Sequence, residues 1–131
     1  MPVTRPTRGE VSVFPTRDAF RRWLEAEHAT AQALFVGYYK KGVAKNAISY
    51  VEAVEEALCF GWIDGITYRI DEELTATRFT PRRPGRPWSA SNIERMGRLT
   101  AAGRVRDAGR RAYEARDRSG EGTTADRGPT T

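Results

Sequence analysis

Ser49-Tyr-Val-Glu-Ala-Val-Glu-Glu-Ala-Leu-Cys-Phe-Gly-Trp-Ile-Asp-Gly65 carries the start of a helix, its stop and the opening of a strand in one short stretch. Ser49-x-x-Glu52 is a capping box, in which the serine oxygen accepts from the third helical N–H and the glutamate reaches back to the serine N–H. The helix it starts is predicted to run to about Phe60, with Gly61 as its left-handed stop. Val51, Val54 and Leu58 share one face, and Ala53 and Ala57 allow a close approach to a sheet. Glu52, Glu55, Glu56 and Cys59 are expected around the remaining surface. After Gly61 the pattern turns β-rich over residues 62–70 and again over 74–80, and the acidic connection Asp71-Glu-Glu73 makes the pair a hairpin.

Working outward, residues 33–39 are a β-branched and aromatic run of strand length, stopped by Lys40-Lys-Gly42. Upstream, Thr16 caps a helix with the stripe Ala19, Phe20, Trp23 and Leu24, and residues 11–14 read as a short strand ended by Pro15. Downstream, Pro81, Pro84 and Pro87 interrupt pairing and force a loop. Ser89 or Ser91 then caps a helix with Ile93, Met96 and Leu99 on one stripe, ending near Gly103. A last helical stretch holds Val105, Ala108, Ala112 and Tyr113. The order β-α-β-α-β-β-α-α predicts an α+β fold, a small antiparallel or mixed sheet flanked by helices in a single domain over 11–117. Residues 1–10 and 118–131 lack periodicity and are expected to be disordered polar tails.

Three motifs in this order, Tyr50-x-Glu-Ala-Val-Glu-Glu-Ala-Leu-Cys-Phe-Gly-Trp-Ile-Asp-Gly65, Arg78-Phe-Thr-Pro-Arg-Arg83 and Trp88-Ser-x-x-Asn-x-x-Arg95, resemble the YdeI/OmpD-associated family, also called bacteriocin-protection proteins. The resemblance runs from about Phe14 to Tyr113. It implies a small cytosolic α+β protein tied to tolerance of bacteriocins, antimicrobial peptides or antibiotics, with no agreed reaction. Members of that family continue into a Lys- and Arg-rich helical segment, where this sequence has a short polar tail. The expectation is therefore of the N-terminal module alone.

The candidate chemistry gathers around turns. Asp64, beside Trp62, suits a general acid or base or a partner for arginine, and equally suits the ordinary role of Asp before Gly in organising a turn. Arg82 and Arg83, on a proline-stiffened loop, suit a bidentate grip on carboxylate or phosphate, or an ion pair with Asp64, Glu52 or Glu56. Trp62 and Trp88 are either pocket walls or core. Asn92 and Arg95, in the first turns of a helix, complete a predicted ligand-binding set of Trp62, Arg82, Arg83, Trp88, Asn92 and Arg95. The ligand expected is small or peptidic, and anionic.

Asp64 is the one candidate for catalysis, and the enzymatic alternative would use it beside Arg82 and Arg83 on a metabolite of a secondary pathway. Cys59 lacks a neighbouring base, since the only histidine is His28, and reads as a small buried hydrophobe. Neither phosphate-loop nor dinucleotide patterns occur, no pair of residues has metal-ligand spacing, and no cofactor or metal is expected.

Charge is uneven along the chain. Residues 1–75 hold 9 basic and 11 acidic side chains, whereas 76–118 hold 12 and 4. A weaker alternative is thus nucleic-acid binding through Arg95, Arg98, Arg104, Arg106, Arg110 and Arg111. Against it, 19 of the 22 basic residues are arginine, a bias that coding composition alone would produce. No apolar run nears the ~20 residues that span a bilayer, and the N-terminus lacks the apolar segment of a secretory signal. The expected location is cytoplasmic, with no membrane partner.

Overall fold

The computed structural model describes residues 5–121. Four helices, α1 (Arg17–Glu27), α2 (Tyr50–Cys59), α3 (Ala90–Ala101) and α4 (Asp107–Glu114), accompany strands β1 (Leu34–Tyr39), β2 (Trp62–Arg69) and β3 (Leu74–Pro81). The sheet is antiparallel, in the order β1-β3-β2, which makes the fold α+β.

Local chemistry sets most boundaries. The Thr16 hydroxyl accepts from Ala19 N–H at 3.2 Å, Ser49 from Glu52 N–H at 3.1 Å and Ser89 from Asn92 N–H at 3.2 Å. The full capping box forms at Ser49, and Gly61 takes φ 78° to turn the chain directly into β2. In the hairpin turn Asp71 Oδ1 accepts from the N–H groups of Glu73 and Leu74.

Several expectations change. Residues 11–14 make no strand: Ser12 forms one isolated parallel bridge to Val36, and Pro15 and the Thr16 cap then turn the chain away. Val11 and Val13 instead press on the bare backbone of Gly37, where a β-carbon would lie 2.6 Å from Val11 Cγ1. The expected N-terminal tail contains a 3-10 turn, Arg8–Glu10, capped by Thr7 and held by an Arg8–Asp71 ion pair, while residues 1–4 lie outside the described residues. At the other end Ser119 to Glu121 are helical, and Arg116 grips Glu121 at 2.7 and 2.9 Å. The remainder of that expected tail, 122–131, lies outside the described residues.

The core forms where α1 and α2 cover one face of the sheet. Phe20 and Leu24 of α1 meet Val36, Trp62 and Phe79, and Met96 and Leu99 of α3 close one side. α2 buries Val54, Leu58, Ala53 and Ala57 as expected, but two positions differ. Val51 is 48% exposed, and Glu56, expected on the surface, is fully buried beside Ala53 and Ala57. Tertiary charge accounts for the buried glutamate. Arg17 Nε, Arg21 Nη1 and Arg104 Nη2 donate to the Glu56 carboxylate at 2.7, 2.8 and 2.9 Å, so α2 turns its glutamate inward to meet them. Burial alone would raise the Glu56 carboxyl, but hydrogen bonds from Arg21, Arg17 and Arg104 outweigh it and hold the group below the ordinary carboxylate range.

Candidate functional site

Three helix and strand starts deliver side chains to one edge of the sheet. The Ser49 cap presents Tyr50, the Gly61 turn sends Trp62 into the core and brings Asp64 to the edge, and the Ser89 cap sets Asn92 and Arg95 one turn into α3. A register shift between Asp64 and Thr67 leaves Gly65 and Ile66 outside the ladder beside them.

Asp64 is the hub of this edge. Tyr50 donates its hydroxyl to Asp64 Oδ2 in a short hydrogen bond. That bond, then burial and the nearby carboxylate charge, pushes the Tyr50 phenol up to about 12, while Arg95 works the other way. Tyr38 meets the Tyr50 ring edge-on at 6.0 Å. Burial chiefly, and then the proximity of Tyr50 and Asp64, raises the Tyr38 phenol above its ordinary value, while Thr77 opposes the rise. The Tyr38 hydroxyl is buried and makes no hydrogen bond of normal geometry among the described residues.

On the other side of Asp64, the Arg82 guanidinium lies 4.0 Å over the Trp88 ring. Burial pulls Arg82 down to about 10, and Asp64 acts against the fall. Its Nη1 is buried without a hydrogen-bond partner among the described residues. Arg95 Nη1 donates to Asn92 Oδ1 at 2.8 Å.

Of the residues expected at the site, Asp64, Arg82, Trp88, Asn92 and Arg95 are linked through these contacts and fields. Trp62 is not available to a ligand: it is 1% exposed, packs edge-on against Trp23 at 5.6 Å and donates its indole N–H to the His28 carbonyl at 3.3 Å. Arg83 is exposed on the loop beyond. Neither Arg82 nor Arg83 forms an ion pair among the described residues, so the expected pairing with Asp64, Glu52 or Glu56 does not occur. Cys59 is buried, and burial first of all pushes its thiol up. His28 is half-buried at the end of α1, its Nδ1 2.7 Å from the Leu24 carbonyl. Among the described residues no group of three His, Cys, Asp or Glu side chains could hold a metal ion.

Tyr38, from β1 across the sheet, and Tyr50 adjoin the Asp64 edge, and neither is among the expected site residues. Tyr50 stands in the sequence as the residue after a cap and the first of a motif, and no local spacing ties it to Asp64. The hydrogen bond gives a direct test. Asp64→Asn is expected to return the Tyr50 ionisation from about 12 toward the ordinary phenolic value of about 10, followed by ultraviolet difference titration. An unchanged high-pH step would mean that Asp64 does not hold the Tyr50 proton.

Residues 12–112, which include every member of this edge, match a family model described as a domain of unknown function (DUF8412). Neither the curated proteins nor the solved structures contain a match.

Proposed function

We propose that this chain, which belongs to the DUF8412 family of domains of unknown function, is a non-enzymatic binding protein whose ligand docks at the edge formed by Tyr50, Asp64, Asn92 and Arg95, with Arg82 at its boundary. One observation carries the proposal. Buried polar groups are satisfied in at least about nine cases of ten, yet among the described residues Tyr38 Oη makes no hydrogen bond of normal geometry and Arg82 Nη1 has no partner, and both lie in the field of Asp64. Two unmet donors on either side of Asp64 suit a ligand that brings acceptors. Tyr50, 43% exposed, keeps the edge open to solvent.

The ligand we propose is a small or peptidic molecule with an anionic or carbonyl group. In the protective role that the resemblance to the YdeI/OmpD-associated proteins implies, it would derive from a bacteriocin, antimicrobial peptide or antibiotic met in the cytoplasm. The enzymatic reading of Asp64 has less support, because Tyr50 already donates to its carboxylate. Nucleic-acid binding also has less, since Arg98, Arg104, Arg106 and Arg110 are each taken up by a carboxylate at 2.7 to 3.6 Å.

The test is a thermal-shift screen of small carboxylates, phosphorylated compounds and short peptides on the intact chain. At least one class is expected to raise Tm, and Arg95→Met and Asp64→Asn are each expected to reduce that rise. Absence of any rise across the panel, or a rise indifferent to both substitutions, would defeat the proposal.

A further inference from the structure

The loop between β3 and α3, Pro81-Arg-Arg-Pro-Gly-Arg-Pro87, sets three arginines in five positions. Three prolines limit its backbone, and three tertiary hydrogen bonds pin it. Arg82 N–H donates to Gly61 O at 2.9 Å, Gly85 N–H to Ala115 O at 2.8 Å, and Asp117 N–H to Arg86 O at 3.0 Å. Gly85 takes φ 78°, which closes the turn between Arg83 and Arg86. The three guanidinium-bearing residues line one cavity of about 270 Å³ together with Ile63, Thr80 and Pro81.

Elsewhere in the described residues eight arginines pair with carboxylates, and Glu56 alone takes three. Here none of Arg82, Arg83 and Arg86 forms an ion pair among the described residues, and Arg82 Nη1 is buried without a partner. A stiff loop that gathers three like charges, with no counter-charge in ion-pair reach among the described residues, keeps some repulsion between them even where Arg83 and Arg86 are exposed. Repulsion of that kind is relieved when an anion enters.

We infer that the cavity of Arg82, Arg83 and Arg86 is an oxyanion site that takes the phosphate group of a small phosphorylated molecule. A phosphate dianion with three acceptor oxygens answers three arginines grouped around one cavity better than a monoanionic carboxylate. The cavity is close to the lower end of the range for ligand pockets, roughly 300 Å³, which leaves room for a small body attached to the phosphate. A nucleic-acid backbone would need a basic track leading away from the cavity, and four of the six arginines on α3, α4 and their connection are already paired. The inference shares Arg82 and its unmet Nη1 with the ligand edge proposed above, while the cavity with Arg83 and Arg86 is its own.

Isothermal titration calorimetry at fixed ionic strength tests it on the intact chain, with inorganic phosphate, phenyl phosphate and acetate as probes. Saturable binding of both phosphates is expected, phenyl phosphate the tighter, with acetate at least about tenfold weaker. The double substitution Arg83→Met, Arg86→Met alters only exposed side chains and is expected to weaken phosphate about tenfold or more, a loss of about 1.4 kcal/mol or more, without lowering Tm in the absence of phosphate. Failure of phosphate to saturate, equal affinity for acetate, or indifference to the double substitution would each overturn the inference. Arg95→Met separates the two sites: it is expected to leave phosphate binding intact and to reduce binding at the Asp64 edge.

Discussion

Glu56→Ala is expected to lower the unfolding free energy by about 3–5 kcal/mol, the usual cost of removing one member of a buried charge network. Glu56 is fully buried, and its carboxylate joins α1 through Arg17 and Arg21 to the α3–α4 connection through Arg104. Arg21 is the most exposed to the loss. Only 10% of its side chain reaches solvent, and it also donates to the Arg104 carbonyl at 2.6 Å, so it cannot swing out to find water without breaking a second contact. Urea denaturation measures the effect, and a change smaller than about 1 kcal/mol would mean that the three arginines are adequately hydrated without Glu56.

The same network has a pH signature. The carboxyl is held below its ordinary range in the folded chain, so its contribution to stability is fully present above the unfolded value of about 4.3 and is lost as pH falls through the lower folded value. Glu56→Gln removes that titration. Its stability is therefore expected to fall less steeply than that of the parent chain below about pH 4.3, with the two curves converging in acid.

Gly109→Ala is the second large effect, and its sign is diagnostic. In an exposed helix interior this change stabilises by up to about 1 kcal/mol. Here a β-carbon on Gly109 would lie 2.7 Å from the Cys59 carbonyl carbon and 2.8 Å from Leu58 O, and nearer still to Cys59 O. These are backbone atoms at the end of α2, so no rotamer change relieves the contact. Arg106 N–H also donates to Cys59 O at 2.9 Å, and a β-carbon at Gly61 would meet Ala108 O at 2.8 Å from the other side of the joint.

The added methyl must push α4 away, and a loss of about 3 kcal/mol is expected, at the upper end for overpacking. Tyr113 on α4 packs edge-on against Trp88 at 5.1 Å, so near-ultraviolet circular dichroism should weaken alongside Tm. A variant as stable as the parent would show that α4 docks with more slack than these distances allow.

Gly109 gives no sign of this role in the sequence, where it is one small residue in Asp-Ala-Gly-Arg-Arg. The contrast with Gly61 is instructive. Gly61 follows an apolar helical pattern opened by a capping box, and its left-handed φ is a local property of a helix end. Gly109 is required by a backbone some fifty residues earlier in the chain, and no pattern within α4 reports that.

The same division runs through the molecule. Element starts were legible because a cap is a contact across three residues: Thr16, Ser49 and Ser89 each bond the residue that the sequence points to. Hairpin, helix order and the α+β class follow from such signals and from the change of period after Gly61. Side-chain partners were not legible, because packing chooses them across long separations. Arg17, Arg21 and Arg104 reach Glu56 over 39, 35 and 48 residues, and they draw it in beside Val54 and Leu58 on the face that α2 buries, while Val51 of the apolar stripe stays exposed. Asp64 was marked by its place after Gly61, but its hydrogen bond to Tyr50 and the burial of Trp62 beneath it depend on how α2 lies on the sheet. The stretch from Ser49 to Gly65 by itself determined where a helix begins, where it stops and where a strand follows, since those are hydrogen-bond choices made within a turn. Which of its side chains face inward, and which arginines are left without a carboxylate, only the tertiary structure decided, because burial and ion pairing are settled between segments that the chain keeps far apart.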